Sequence, residues 1–329
     1  KARRAAGGGR SPAGEGGGRD SPREGAPSSG LRPRRPFFLG SMPLRALIAA
    51  LGALGGAFRA SAQGYRRSLL RTELVVSPRM HEKLTLADLP GAVDWRWKDG
   101  RNYTTVNRNQ HIPKYCGACY AFGAVSSLAD RIRMARGPAG REVVLAVQVV
   151  LNCDTEDSGC SGGDPLEVYR YIAKSGGIPE ETCRPYQAVG HDTGETCGAE
   201  DVCRRCSGLR CSAEREYGVY GVEEYGLVRG ELQMMAELQR GPIACEISTP
   251  DAFLNITGYD VFEDPSGDKD IDHIISVVGY GTEGGVDYWV IRNSWGTYWG
   301  HYGWARIARG KNTIQIESEC SWATPRGGG

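Results

Sequence analysis

The stretch CGACYAFGAVSSLADRIRMAR, residues 116–136, places two cysteines at the start of an amphipathic pattern. Apolar side chains recur at the i, i+3, i+4 spacing of one helix face, at Phe122, Val125, Leu128, Ala129 and Ile132. Gly137-Pro138 ends the pattern, because neither residue favours continuing a helix. The spacing predicts a helix over Cys119 to Arg136 whose first residue is a cysteine.

The second half of the chain predicts strands. After Gly241-Pro242, runs rich in β-branched and aromatic residues alternate with glycines, at Ile243 to Ile247, Ile274 to Tyr280, Tyr288 to Arg292 and Gly303 to Ile307. A second helical run, Leu145 to Leu151, precedes them. Helices followed by an antiparallel sheet are typical of the α+β class, so we expect two lobes with a cleft between them.

Length and charge narrow the class of function. The chain has 329 residues, of which 40% are hydrophobic, enough for one large or two medium domains. Residues 89–329 contain 24 basic and 33 acidic residues, so this part of the chain is acidic. An acidic body argues against nucleic acid as its partner.

The N-terminal region predicts export. Residues 1–41 are rich in Gly, Arg, Ala, Pro and Ser, and we interpret them as a disordered extension or as translated upstream sequence. Residues 42–62 have the basic, apolar and small-residue parts of a signal peptide, and the apolar run is too short to span a membrane. Residues 63–88 are interpreted as a short propeptide or a linker, and residues 89–329 as the globular domain. We expect no membrane span.

Cys119 is the candidate nucleophile. A thiol attacks a carbonyl as the thiolate, and a free cysteine has a pKa of about 8.5. The N-terminus of a helix favours negative charge, and a neighbouring imidazolium would complete the activation. His273, at the start of a predicted strand, is the best candidate base among five histidines. Taken alone, Cys119 could instead be a bridge partner, His273 a core histidine and Asn293 a turn residue.

All eleven cysteines lie between residues 116 and 320, and in an exported protein such a density favours disulfides. An odd number leaves one thiol free, and the chemistry requires that thiol to be Cys119. Two alternatives stay open: a thioredoxin-like Cys116–Cys119 pair, and a zinc site, which would use Cys197, Cys203, Cys206 and Cys211. We expect neither a metal nor a cofactor.

Three motifs in order resemble the papain family (C1) of cysteine proteases. Cys116-Gly117-Ala118-Cys119-Tyr120 resembles the family's nucleophile motif, and Asn293-Ser294-Trp295-Gly296 resembles its Asn-Ser-Trp-Gly motif, with His273 between them. The resemblance implies a papain-like two-lobe fold, with a helical left lobe and an antiparallel β-barrel-like right lobe around the active-site cleft.

The resemblance also implies roles and disulfides. Asn293 would orient His273 while Trp295 covers their hydrogen bond, and Gln110 would stabilise the oxyanion together with the backbone N–H of Cys119. Gly162 and Gly163 would offer backbone groups to the substrate. The implied disulfides are Cys116–Cys160, Cys153–Cys197, Cys183–Cys203, Cys206–Cys211 and Cys245–Cys320.

Gln110 lies six residues before Cys116, whereas in most papain-like enzymes the corresponding glutamine lies three residues before the first cysteine of the motif. The inserted His111-Ile112-Pro113 resembles the lysosomal carboxypeptidases of this family, which implies that protonated His111 holds the C-terminal carboxylate of a peptide or protein substrate. One residue would then be removed at a time. The resemblance implies a monomer in the lysosome, with possible secretion, and cystatin-type proteins as candidate inhibitors.

Three alternatives to this function stay open. The protein could release dipeptides or cut internally, although it lacks a longer occluding insertion. It could also be a secreted binding protein without turnover, and His111 could be a solvated loop histidine.

The sequence also bears on latency and on glycosylation. In the similar carboxypeptidases, a cysteine of the propeptide forms a disulfide with the catalytic thiol. Residues 63–88 contain no cysteine, so a propeptide here could not form that bond. Asn102 and Asn255 begin the sequons Asn-Tyr-Thr and Asn-Ile-Thr, which predict glycosylation of an exported protein.

Overall fold

The computed structural model describes residues 64–137 and 140–327. The predicted signal peptide and the first 41 residues lie outside this part of the chain, so their interpretation stays a prediction. Within it, no helix combines the length and the apolar character needed to cross a membrane.

The longest helix, α1 (Cys119–Arg136), has the predicted bounds. The helix is buried over most of its length. Beside the predicted apolar face it has small residues, such as Ala121, Gly123 and Ala124, and these are buried as well. Gly137 ends it with a positive φ, a conformation that favours glycine. The second predicted helix lies two residues later than expected, at α2 (Val147–Cys153).

Helix α3 (Pro165–Ser175) was not predicted. Asp164 caps it by accepting the backbone N–H of Leu166, Pro165 occupies the first turn and Gly176 ends the helix in the left-handed conformation. The remaining α-helices are short: α4 (Ala199–Val202), α5 (Gly230–Leu238) and α6 (Asp251–Leu254). Single 3-10 turns lie at Met80–Lys83, Leu86–Asp88, Gly159–Ser161, His191–Thr193 and Thr313–Gln315.

Twelve strands are described. Three of the four predicted runs lie within β7 (Ile243–Ser248), β9 (Ile271–Glu283) and β10 (Val286–Arg292), and the fourth begins one residue before β11 (Trp304–Ala308). The others are β1 (Val93–Asp94), β2 (Ile178–Pro179), β3 (Arg204–Ser207), β4 (Arg210–Ala213), β5 (Val219–Tyr220), β6 (Val222–Val228), β8 (Val261–Phe262) and β12 (Cys320–Pro325).

Eight strands form one sheet, in the order β6-β12-β7-β9-β10-β11-β8, with β1 added beside β9. The predicted α+β class and the two lobes, one helical and one built on a mainly antiparallel sheet, are confirmed, and no closed barrel is present in the described residues. Within the described residues β6 and β8 end the sheet without pairing to each other, so it stays open, and β8 pairs with β11 in parallel. Strand β8 has only two residues, too few to close a barrel.

Two hydrophobic cores correspond to the two predicted lobes. One surrounds α1, α2 and α3, and the other fills the sheet-rich side around Trp289, Trp322 and Phe253. A buried ion pair joins α1 to the sheet, because Arg292 at the end of β10 lies 2.6 Å from a carboxylate oxygen of Asp130. The ion pair therefore fixes the C-terminal end of strand β10 relative to the helix that begins with Cys119.

The segment before residue 89 packs along both lobes. Tyr65 forms a parallel bridge with Gly163. Further along, the backbone groups of Leu74 and Tyr225 bond to each other at 2.9 Å in both directions, and the Glu73 carboxylate accepts the N–H of Leu227. This part of the segment therefore covers the outer edge of β6.

Five disulfides hold the described chain, and they join the pairs that the family resemblance implied. Cys119 is free and buried. The zinc alternative is wrong, because each of its four cysteines lies in a disulfide, and the thioredoxin-like alternative is wrong because Cys116 pairs with Cys160. No group of three or more potential metal ligands occurs in residues 64–137 and 140–327.

Candidate active site

Cys119 is the first residue of α1, at the point where the helix meets β9. The backbone amides of Ile274, Gly64 and Tyr120 interact with its sulfur. Ile274 follows His273 in β9, so the fold brings the cysteine next to the strand that carries the predicted base. The helix N-terminus and these amides are groups that stabilise a negative sulfur.

His273 is buried and held by Asn293, as the resemblance implied. The Nε2 of His273 lies 2.8 Å from the Oδ1 of Asn293, and an amide oxygen accepts, so Nε2 carries the proton. The Nδ1 of His273 is buried with no hydrogen-bond partner among the described residues. The neutral ring therefore keeps a lone pair on Nδ1 for a proton.

Trp295 lies against the imidazole. Its ring is stacked on His273, with the ring centroids 4.6 Å apart and the planes 27° from parallel. Asn293 is nearly buried and also accepts the backbone N–H of Ser294 at 2.8 Å. The indole and the buried amide keep water away from the hydrogen bond that orients His273.

Gln110 is fully buried and its amide is fixed at both ends. The Nε2 donates to the carbonyl of Cys116 at 3.0 Å, and the Oε1 accepts the hydroxyl of Ser294 at 2.6 Å. An amide nitrogen has two protons, so one N–H of Gln110 is available for an oxyanion near Cys119. Sequence reasoning missed Ser294 as the residue that sets this orientation.

The protonation states of Cys119 and His273 reflect their burial. Burial raises the pKa of Cys119 to about 12, against the opposing effect of the three backbone amides. Burial lowers the pKa of His273 to about 4, although its hydrogen bond to Asn293 acts in the opposite direction. At neutral pH the structure therefore holds a neutral thiol and a neutral imidazole, and not the ion pair expected of an active enzyme.

The cover is the chain's own segment. The carbonyl of Gly64 accepts the N–H of Gly163 at 3.0 Å, and the backbone N–H of Arg66 donates to the carbonyl of Gly163 at 2.9 Å. A Cβ on Gly64 would lie 2.3 Å from the carbonyl oxygen of Gly117, so only glycine fits there. Of the two glycines that the resemblance assigned to substrate, Gly163 thus has its backbone groups bonded to Gly64 and Arg66.

His111 lies on the other side of the site, at a pocket of about 460 Å³. The pocket is lined by apolar and aromatic side chains that include Ile256, Trp295 and Tyr298. The imidazole of His111 stacks on Tyr115 with the ring centroids 4.8 Å apart, and its Nδ1 is buried without a hydrogen-bond partner in the described chain. Burial lowers the pKa of His111 below its ordinary value.

Both predicted glycosylation sites are exposed. Asn102 accepts the hydroxyl of Thr104, the third residue of its sequon, at 2.7 Å. Asn255 donates to the carbonyl of Asp251 at 2.8 Å and lies on the rim of the His111 pocket. Their glycosylation stays a prediction.

Comparison with protein families gives a match over most of the globular part. Residues 89–324 match the family described as Papain family cysteine protease. Cathepsin Z of Onchocerca volvulus is 44% identical over 260 residues, which cover 75% of this chain and 82% of that protein. Cathepsin K of Mus musculus is 33% identical over 225 residues, which cover 68% of this chain and 61% of that protein.

Solved structures give the same picture of the fold. The bromelain protease from Ananas comosus, in complex with the E64 inhibitor, superposes with a TM-score of 0.59 at 27% identity and covers 72% of this chain and 99% of that one. A recombinant stem bromelain precursor superposes with a TM-score of 0.63 at 25% identity, covering 82% of this chain and 79% of that one.

Proposed function

Since the chain belongs to the papain family of cysteine proteases, we propose that it is a carboxypeptidase that removes single C-terminal residues from peptides and proteins. The observation that carries the proposal is the position of His111. Its imidazole lines a pocket that Trp295 also lines, and its buried Nδ1 has no hydrogen-bond partner in the described chain. A protonated imidazole there would bind the terminal carboxylate and place the last peptide bond at Cys119.

We propose that catalysis begins when the thiol proton of Cys119 passes to the Nδ1 of His273. The thiolate attacks the scissile carbonyl, and the remaining N–H of Gln110 and the backbone N–H of Cys119 stabilise the oxyanion. The imidazolium of His273 then protonates the leaving amine, and a thioester to Cys119 forms. Water, deprotonated by His273, hydrolyses the thioester and restores the thiol.

We also propose that residues 63–88 are a propeptide that keeps the enzyme latent. The support is the position of Gly64 against Gly117 and the buried, protonated state of Cys119. Residues 63–88 contain no cysteine, so this latency would be noncovalent.

The proposed site of action is the lysosome, with possible secretion. His111 has to carry a proton to bind a carboxylate, and burial lowers its pKa from an ordinary 6.5. The imidazole is therefore charged only at acid pH and is neutral above that range. The five disulfides agree with folding in the secretory pathway, through which lysosomal proteins pass.

The test compares a peptide with its C-terminally amidated twin, using chain processed to begin near Leu89. We expect the free acid to be preferred at acid pH, and the preference to be lost as the pH rises through a value below 6.5. A hydrogen bond to a charged group contributes about 1.5–3 kcal/mol, so His111→Ala should lower kcat/KM for the free acid by about 10- to 100-fold. The amidated peptide should change little.

The matched control is His301→Ala, which removes an exposed histidine that does not line the pocket. It should leave the preference and its pH dependence unchanged. Mass spectrometry of the products counts the residues released in each step. An unchanged preference in His111→Ala would refute the anchoring role, and release of dipeptides would favour the alternative enzyme.

A further inference from the structure

Tyr298 brings a second polar group to the pocket that His111 lines. It lies in the loop that follows β10, and its ring is one of the aromatic walls of that pocket. The side chain is 78% exposed, so a substrate can reach its hydroxyl. The catalytic steps proposed above do not use this residue.

The backbone holds the loop of Tyr298 against the segment that leads to His111. The N–H of Gly296 donates to the carbonyl of Arg108 at 3.1 Å. Gly296 has a φ of 82°, and a Cβ there would lie 2.9 Å from the amide nitrogen of Asn109 and 3.0 Å from the ring of Tyr298. A glycine at this position therefore lets the side chains of Asn109 and Tyr298 approach each other.

Asn109 determines the hydrogen-bond role of the Tyr298 hydroxyl. The backbone N–H of His111 donates to the Oδ1 of Asn109 at 2.9 Å, and in an amide side chain only the oxygen accepts. The other end of the amide is therefore Nδ2, which donates to the Tyr298 hydroxyl at 3.2 Å. Since the hydroxyl oxygen accepts this bond, the proton of the hydroxyl remains available.

Neither polar group at the pocket is used up within the protein. Among residues 64–137 and 140–327, the bond from Asn109 is the only hydrogen bond of the Tyr298 side chain. The Nδ1 of His111 is also without a hydrogen-bond partner in that part of the chain. Asn109 thus joins two residues that line one pocket, and each of them has a polar group free for a ligand. A carboxylate has two accepting oxygens, so it matches a pair of donors.

We propose that the hydroxyl of Tyr298 donates to the C-terminal carboxylate of the substrate, so that one carboxylate oxygen bonds to His111 and the other to Tyr298. This inference rests on the proposed function, which places that carboxylate at His111. The carboxylate stays charged throughout the reaction, so the bond strengthens substrate binding and transition-state binding equally. Asn109 is then a positioning residue, because its amide leaves the Tyr298 proton to the substrate.

The test compares Tyr298→Phe with unmodified processed chain, using one peptide as the free acid and as the amide. Phenylalanine keeps the ring that lines the pocket and removes only the hydroxyl. At acid pH we expect kcat/KM for the free acid to fall by about 3- to 10-fold, mainly through KM, while the amide changes by less than about twofold. The expected loss is smaller than for a buried charged hydrogen bond, because Tyr298 is largely exposed.

Tyr302→Phe is the matched control. Tyr302 is an exposed tyrosine of the same loop that does not line the pocket, so its variant should hydrolyse both peptides normally. The pH profile separates substrate binding from an effect on His111: Tyr298→Phe should lower the preference at acid pH and leave its midpoint in place. Affinity for processed Cys119→Ser protein, followed by fluorescence anisotropy, should show the same loss for the free acid without turnover.

A double-mutant cycle with Asn109→Asp tests the direction of the hydrogen bond. Aspartate keeps an oxygen for the N–H of His111 and presents a second acceptor in place of Nδ2, so it would take the proton of Tyr298. Tyr298→Phe should then lower kcat/KM for the free acid by less than about twofold in the Asn109→Asp chain. A loss as large as in the unmodified chain would overturn the positioning role of Asn109.

The outcomes separate this inference from the proposed carboxypeptidase. If processed chain prefers the free acid and Tyr298→Phe leaves that preference unchanged, this inference is overturned and the carboxypeptidase stands. Equal losses for acid and amide, or a shifted midpoint with an unchanged preference at acid pH, would also overturn it, because Tyr298 would then shape the pocket or act on His111. Equal hydrolysis of acid and amide by unmodified processed chain would overturn the carboxypeptidase and this inference together.

Discussion

At the scale of single residues, the site depends on side chains that orient other side chains. Asn293 fixes the proton of His273 on Nε2, and Ser294 fixes the amide of Gln110. Both orienting residues follow β10 directly, so one short stretch of backbone sets the geometry of the proposed base and of the proposed oxyanion donor. A displacement of about 1 Å in such a site can cost about 10²-fold in rate.

Gln110→Leu tests the oxyanion donor directly. Loss of one such donor typically lowers kcat by about 10²–10³-fold, because the donor acts mainly on the transition state. We expect kcat of the processed protein to fall by that factor while KM changes little, as measured by steady-state kinetics. Labelling of Cys119 by an epoxysuccinyl probe serves as the control for an intact thiol site. A fall in KM with unchanged kcat would contradict the role.

Several residue-level features could be predicted from the sequence and others could not. The positions of Cys119, His273 and Asn293 follow from local motifs, because helix spacing and short motifs lie within the sequence itself. The contact of Ser294 with Gln110 joins residues 184 apart in sequence, and it depends on how the lobes meet. No local pattern contains that information.

At the scale of secondary structure, the contact between α1 and β10 holds Cys119, at the start of the helix, near Asn293, which follows the strand. The Arg292–Asp130 pair is almost completely buried, and Asp130 also accepts the N–H and the hydroxyl of Thr105. Removing one partner leaves an uncompensated buried charge, which costs about 3–5 kcal/mol. The pair therefore fixes the geometry more than it adds net stability.

Asp130→Asn should lower the free energy of unfolding of the full chain by about 3–5 kcal/mol. The exposed pair Glu263–Lys311 provides the control, because Glu263→Gln removes an interaction worth about 0–1 kcal/mol. Denaturant unfolding followed by circular dichroism measures both variants. A loss below about 1 kcal/mol in Asp130→Asn would mean that the buried pair does not hold α1 against β10.

The elements themselves were predicted unevenly. The bounds of α1, an 18-residue helix, were predicted correctly because its apolar spacing, from Phe122 to Ile132, is clear and Gly137-Pro138 ends it. Helix α3 was missed, since its signals are a capping aspartate and a proline directly after two glycines. Whether the sheet closes into a barrel could not be predicted, because closure depends on strand pairing between distant segments, and local hydrophobicity does not determine it.

At the scale of the whole molecule, the structure is a closed form in which Cys119, the proposed nucleophile, is buried. The covering segment is polar and basic, and its sequence alone showed no reason to lie in the cleft. Its position is set by carboxylates at residues 164, 167, 246 and 319, which only the folded chain brings together. This is why the occupied state of the cleft could not be predicted.

Removal of residues 63–88 should activate the thiol. The pKa of Cys119 is raised to about 12 by burial, so exposure should lower it and increase the thiolate fraction at any pH below that value. We expect an epoxysuccinyl probe to label processed chain more than about tenfold faster than full chain, by mass spectrometry at matched pH. Full chain unfolded in denaturant serves as the control for thiol integrity. Equal rates before and after processing would contradict noncovalent latency.

The backbone contact between Leu74 and Tyr225 covers a strand edge that removal of residues 63–88 would expose. Once the segment is gone, the N–H and C=O of Tyr225 and the N–H of Leu227 lose their bonds on the outer edge of β6. An unpaired edge strand is a template for adding strands from another copy, which leads to aggregation. If residues 63–88 are removed, as proposed, we therefore expect the processed chain to aggregate at a lower concentration than the unprocessed chain.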